Sequence, residues 1–202
     1  MLFRSDLAER SDLPPPRAAG NQLVRIVPAH PDDEYSRIYA LMMAAIDTAE
    51  RSLYITMAYF APGPEMVDAL CDAAARGVDV QLVLPSRSDF TPVLHAGRSH
   101  YDRLLSAGVK VYELQGAVLH AKTAVVDGVV STVGSSNLDY RSLAGNNEIN
   151  AVVLGEDFAR TMTRLFQQDV AASQPITLQA WQARSPWQRA KEAAARLFES
   201  WW

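Results

Sequence analysis

His120 and Lys122, two residues apart in "LHAKTAVVDG", are the side chains whose types and spacing most directly suggest chemistry. Their surroundings are β-rich, and residues two apart on a strand share a face. The imidazole and the ammonium are therefore expected together, with Ala121 and Thr123 pointing the other way. A neutral imidazole serves as nucleophile or proton carrier, and an ammonium beside it favours an anion such as a phosphoryl group over a neutral carbonyl. Ser135 and Asn137 in "GSSN" can both donate to phosphate oxygens, although a plain turn also accounts for that run. Glu148 opens the next β-rich run, where its carboxylate could accept from the imidazole Nδ1 and leave the other nitrogen ready for attack; a solvated glutamate is the alternative. Asp127, in "DG", is explained by a hairpin turn alone.

The elements that must position these groups follow from periodicity. Strand-like "LVRIV", "SLYITMAYF", "VDVQLVL" and "VKVYEL" alternate with helices over about 34–51, "EMVDALCDAAARG" and "PVLHAGRSHYDRLLSAG", which predicts an α/β layered domain. Pro64 suits a first helical turn, and Gly77 and Gly108 suit helix stops. After Tyr112 the strands come closely spaced, with "AVVDGVVSTVG" as a hairpin about Asp127-Gly128 and "EINAVVLG" as a further strand. A helix over "EDFARTMTRLFQQDVAAS" places Phe158, Met162, Leu165 and Phe166 on one side. The expected organisation is a proline-rich flexible lead-in over 1–21, a domain over 22–173 with a mixed central sheet flanked by helices, and a tail over 174–202. All four tryptophans lie in that tail, and Trp187, Ala190, Ala194, Leu197 and Trp201 fall at helical spacing. This predicts a C-terminal amphipathic helix, lying either in a membrane interface or against protein.

The 202 residues suffice for one domain with a full core. A net charge of −4 argues against nucleic-acid binding through a broad basic face. Cys71 is the sole cysteine, so no disulfide can form within the chain, and a buried structural role is expected. His30, His95 and His100 show no ligand spacing, so no metal is expected. His95 and His100 read as surface or packing residues, and His30 as part of a polar loop that could reach the rim of a site. The N-terminus lacks a secretory h-region and no apolar run approaches the length of a membrane span, so any membrane contact is expected from one side.

The run from His120 fits H-x-K-x4-D-x6-G-S-x-N, and with Glu148 it resembles the HKD signature of the phospholipase D superfamily. The resemblance extends over roughly Leu23 to Trp202, through "SLYITMAYFAPGPE", "RGVDVQLVLPSRSD", "STVGSSNLDYRSL" and "NNEIN", and is to the C-terminal half of a bacterial cardiolipin synthase. It implies a phospholipase D-like fold, with His120 as nucleophile or its acid partner. Lys122 and Asn137 would bind the phosphate with help from Ser135, Asp127 would hold the motif's architecture, and Glu148 would orient His120. It further implies a phosphatidyl-histidine intermediate without a cofactor, phosphatidylglycerol as substrate, and a peripheral place on the cytoplasmic face of the membrane. That mechanism needs two histidines, and the chain has one such motif. The second would come from a homodimer, as in short nucleases of the superfamily, or from a partner half. The alternatives are an inactive half, a phospholipase D-type hydrolase, or a nuclease, for which a more basic surface is expected.

Overall fold

The alternation of β-rich runs and helices resolves, in a computed structural model, into an eight-stranded mixed sheet with helices packed on both faces. Residues 20–31 and 36–198 are described. In chain order the elements are β1 (Leu23–Ala29), α1 (Arg37–Thr48), β2 (Ser52–Met57), β3 (Phe60–Ala61), α2 (Pro64–Ala75), β4 (Asp79–Pro85), α3 (Thr91–Arg98), α4 (Tyr101–Ser106), β5 (Lys110–Leu114), β6 (Lys122–Val126), β7 (Val130–Gly134), β8 (Leu138–Asp139), a π-helical turn (Arg141–Gly145), β9 (Glu148–Leu154), α5 (Glu156–Ala171), β10 (Ser173–Ile176), α6 (Leu178–Gln182) and α7 (Pro186–Arg196). The lead-in through residue 19, the start expected for the first helix at 34, and Trp201 lie outside the described residues.

The sheet order is β1-β9-β7-β6-β2-β4-β5-β10, with β2, β4 and β5 parallel and the remaining pairs antiparallel. Alternation along the strands sorts the core. Leu53, Ile55, Leu82, Leu84, Ala124 and Val126 face α1, α2 and α4, whereas Val125 and Tyr54 meet Ala159 and Met162 of α5 on the other side. Leu165, expected on the buried side of α5, is 46% exposed; the helix packs through Ala159, Met162 and Phe166. The predicted hairpin is present, and Asp127 (φ 52°) and Gly128 (φ 68°) both take the left-handed conformation that a primed turn requires.

Tertiary pairing adds what periodicity did not predict. The expected strand over 52–60 breaks after Met57, and β3 leaves the large sheet to pair in parallel with β8. The helix expected over 92–108 divides into α3 and α4, with the intervening His100 buried. Gly97 lies against β3: a Cβ there would sit 2.0 Å from the Phe60 carbonyl oxygen, so only glycine permits this approach.

The tail is part of the layered structure. β10 runs across the boundary expected at 173 and pairs antiparallel with β5. α6 and α7 then fold back on α4 and α3, with the Trp181 ring 4.8 Å from that of Tyr101. The Arg184 guanidinium lies over Trp181 and bonds Asp102 Oδ2 (2.7 Å), Glu192 Oε2 (2.9 Å) and the Trp181 carbonyl (2.7 Å). Ala195 joins the cluster of Ala61, Val93 and Ala96, so α7 docks by one side. Trp187 and Leu197, on its expected apolar stripe, face outward at 68% and 80% exposure.

Arg184→Ala removes the partner of a buried carboxylate, and burial already pushes the Glu192 carboxyl up despite the guanidinium. The expected cost is about 2–3 kcal/mol, read as a lower urea midpoint at unchanged slope, with partial recovery in Arg184→Lys.

Candidate active site

One end of the sheet collects the chemistry-bearing residues. β2 ends at Met57, opposite Lys122 at the start of β6; β7 ends at Gly134, opposite Asn150; and β9 begins at Glu148, opposite Ala29. Lys122 is 7% exposed, on the same sheet face as Ala124 and Val126. Burial lowers its pKa, and the negative charges of Glu148 and Asp139 oppose that fall. Its Nζ donates to the His120 carbonyl oxygen at 2.7 Å. His120 was expected on the strand, but β6 starts at Lys122 and His120 stands just before it with an exposed side chain. The pair is joined by that backbone hook, and the Ala58 N–H donating to the Ala121 carbonyl (3.0 Å) carries the pairing up to it.

"GSSN" forms a shaped loop. A Cβ at Gly134 would lie 1.9 Å from Asn150 Oδ1, so the loop starts where no larger residue fits. Asn137 is 8% exposed; its Oδ1 accepts from the Tyr59 N–H (3.3 Å) and its Nδ2 donates to Ser142 Oγ (3.2 Å). Among the described residues the second amide hydrogen has no protein acceptor. Ser135 Oγ donates to Glu148 Oε2 and accepts from the Ile149 N–H (3.0 Å). Glu148 also accepts from Asn146 Nδ2 at 3.4 Å. Among the described residues no hydrogen bond joins Glu148 to the His120 imidazole, and one carboxylate oxygen of Glu148 is taken up by Ser135.

The structure separates Asp127 from this group. It lies at the far end of β6, about 16 Å along the strand from Lys122 at ordinary strand rise. Its carboxylate accepts from the backbone N–H groups of Glu50 (3.0 Å), Arg51 (2.7 Å) and Ser52 (2.9 Å), and Arg51 Nη2 donates to its carbonyl (2.6 Å). Burial would raise its pKa, but those N–H groups and the Arg51 charge outweigh it and hold the carboxyl below its usual range. Asp127 positions β6 and does not touch the site.

Three participants escaped the sequence reading. Asp139 is 4% exposed, its pKa is raised by burial, and it accepts from the Ser142 N–H at 2.7 Å. Ser142 and the Tyr59 backbone complete the cradle around Asn137. The available signal was Asp139 following Asn137 by two residues, the spacing that pairs His120 with Lys122. His30 Nδ1 lies 2.7 Å from Asn147 Oδ1, beside Glu148 and at the rim of this end. His95 sits on α3 and His100 between α3 and α4, apart from this group.

A mixed sheet with the H-x-K-x4-D run on its central hairpin and the G-S-x-N loop beside it defines the phospholipase D-like class of α/β domain. Residues 42–170 match the family described as "Cardiolipin synthase, PLD-like domain", and the chain belongs to that family. Cardiolipin synthase A of Yersinia pseudotuberculosis serotype O:1b is 34% identical over 194 residues, covering 92% of this chain and 39% of that protein. The chain thus spans about two-fifths of the length of such relatives. The fold is similar to the phospholipase D family member Nuc from Salmonella typhimurium (TM-score 0.66, 22% identity, 78% of this chain and 99% of that one). It is also similar to the phosphatidylserine synthase of Haemophilus influenzae Rd KW20 (TM-score 0.68, 10% identity, 89% of this chain and 47% of that one).

Asp127→Asn tests the clamp. Folding lowers the Asp127 pKa, so its stabilisation is present above the unfolded value near pH 4 and fades as pH falls through the folded value. Asparagine tolerates the left-handed backbone but loses the charge. The variant should melt several degrees below the wild type at pH 7, and the gap should close as the pH is taken toward 2.

Proposed function

We propose that this chain supplies one half of a cardiolipin synthase-like phosphatidyltransferase, acting on phosphatidylglycerol at the membrane surface. The observation that carries the reading is the buried Lys122 ammonium, hooked to the His120 carbonyl at the end of the sheet where the loop bearing Asn137 also begins. An anion replaces the hydration that burial removes from that ammonium, and membership of a family described as a cardiolipin synthase, PLD-like domain supports a phospholipid as the source of that anion.

In the proposed reaction His120 Nε2, or its counterpart in the second half, attacks phosphorus of phosphatidylglycerol. The bond to the headgroup glycerol oxygen breaks as the opposite histidine protonates it, and glycerol leaves. The headgroup hydroxyl of a second phosphatidylglycerol then gives its proton to that histidine and attacks the phosphatidyl-histidine, yielding cardiolipin and freeing the nucleophile. Lys122 and Asn137 hold the non-bridging oxygens as charge builds there, and Ser135, held by Glu148, adds a further contact. Water in place of the second alcohol would make the outcome hydrolysis.

One motif per chain requires a second histidine, which we assign to another copy of this chain or to a partner half. A surface suited to that docking lies on the strands that deliver Ser135 and Glu148. Val24, Ile26, Val133 and Ile149 share the α5 side of the sheet beyond the reach of that helix and are 37–54% exposed. Peripheral attachment to the cytoplasmic face is proposed through the outward Trp187 and Leu197 of α7. Among the described residues no helix is long and apolar enough to cross a membrane.

His120→Ala should reduce conversion of phosphatidylglycerol vesicles to cardiolipin or phosphatidic acid, followed by mass spectrometry, by at least about a thousandfold with an unchanged melting temperature. Retained turnover in that variant would refute the assignment. Ile149→Glu should shift the chain toward monomer in light scattering and lower turnover in parallel, while a mixture with an inactive His120→Ala partner reports whether sites are shared.

A further inference from the structure

Beside the phosphate-directed end lies a groove of 530 Å³, whose apolar wall is formed by Ala61, Pro64, Tyr140, Leu143 and Leu197. A larger cavity of 760 Å³ lies at the opposite end of β6, lined by Arg51, Arg160 and Arg164 with Asp127 and Asp157 among them, and it is polar where the first groove is apolar. The apolar groove is of a size that takes a flexible ligand, and its wall is tied to the candidate site through the chain and its hydrogen bonds. Ala61 pairs with Asp139, Asp139 accepts from the Ser142 N–H, and Ser142 accepts from Asn137 Nδ2. A single segment from Asn137 to Leu143 therefore forms both the phosphate-facing loop and the groove wall.

Resting on the function proposed above, we infer that this groove receives an acyl chain of the phosphatidyl group whose phosphate sits at Lys122. Its outer wall, Leu197, belongs to the outward stripe of α7 with Trp187, so the groove opens on the surface best suited to meet lipid. A polypeptide occupant would bring backbone polar groups needing partners. In the wall Tyr39 already donates to Glu65 (3.0 Å) and Ser36 Oγ already accepts from the Tyr39 N–H (3.3 Å), which leaves Arg196 beside Leu197 as the main charged group at the groove. An alkyl chain makes no such demand.

Gly63 lines the groove at the N-cap of α2, and a Cβ built there meets nothing within 4 Å, so Gly63→Phe introduces bulk at this wall from a position with room for a side chain. Isothermal titration of the full chain would compare glycerophosphoglycerol with dihexanoyl- and dioctanoyl-phosphatidylglycerol, each below its critical micelle concentration. Each methylene entering the groove should tighten binding about fourfold, so the dioctanoyl lipid should bind about tenfold or more tighter than the dihexanoyl one. Gly63→Phe should abolish that difference and leave glycerophosphoglycerol binding and the melting temperature unchanged. Equal binding of both lipids by the wild type, or a chain-length dependence that survives in Gly63→Phe, overturns the inference. Tighter dioctanoyl binding on removal of residues 199–202 assigns the groove to the chain's own end and overturns it. Loss of self-association in Gly63→Phe does the same in favour of a second copy. If the dioctanoyl lipid binds in a Gly63-dependent way but Lys122→Met leaves every affinity unchanged, the groove stands and the phosphate reading at Lys122 falls.

Discussion

The register of β6 on β2 is the constraint from which the candidate site follows. Leu53 faces Val126 and Met57 faces Lys122 across five pairs. Side chains alternate with a period of two, so a slip of one residue would turn Lys122 to the α5 side of the sheet and carry Ala124 and Val126 out of the main core. Asp127 prevents the slip by gripping three successive N–H groups at the entry to β2. The aspartate of the motif thus acts at a distance: it locks one end of the strand so that the lysine emerges correctly at the other.

Neighbouring strands extend that control. β7 is set against β6 by the Asp127-Gly128 turn, and β9 is set against β7, which brings Glu148 and Asn150 beside the "GSSN" loop. Close approach is possible there because Gly134 carries no side chain where Asn150 Oδ1 lies. Two carboxylates, Asp139 and Glu148, then stand near a single buried ammonium. Burial disfavours the charged forms of Lys122 and Asp139, and the attraction of the two carboxylates for the ammonium favours its protonated form.

Much of this was legible in the sequence because it is local. The hairpin, the helix stops at Gly77 and Gly108, and the spacing of His120, Lys122, Ser135 and Asn137 all rest on residues close in the chain. What escaped depends on distant partners. β3 and β8 are two residues each and exist only through each other, while the break between α3 and α4 follows from packing against β3 and β5 rather than from a proline. Leu165 fits the apolar side of α5 by period, yet the helix turns Ala159, Met162 and Phe166 to the sheet and leaves Leu165 half-exposed beside them. Within the site, residue types were readable but allegiances were not. Glu148 is thirteen residues from Ser135 and twenty-eight from His120, and only the β7–β9 pairing decides in favour of the serine. In the tail the expected apolar stripe of α7 is present but turned outward, because the buried Glu192 and Arg184 claim the inner side.

The hook from Lys122 Nζ to the His120 carbonyl gives the pair a mechanical character. An ammonium has three donors, and here one is fixed to the backbone of the very residue whose side chain stands exposed beside it. A ligand drawn to the remaining two donors pulls on the same nitrogen, and the load passes through that bond to the peptide carrying the imidazole. Cation and imidazole are thus one linked unit rather than two separate tools: a displacement of the Lys122 ammonium is felt first at the peptide that carries His120.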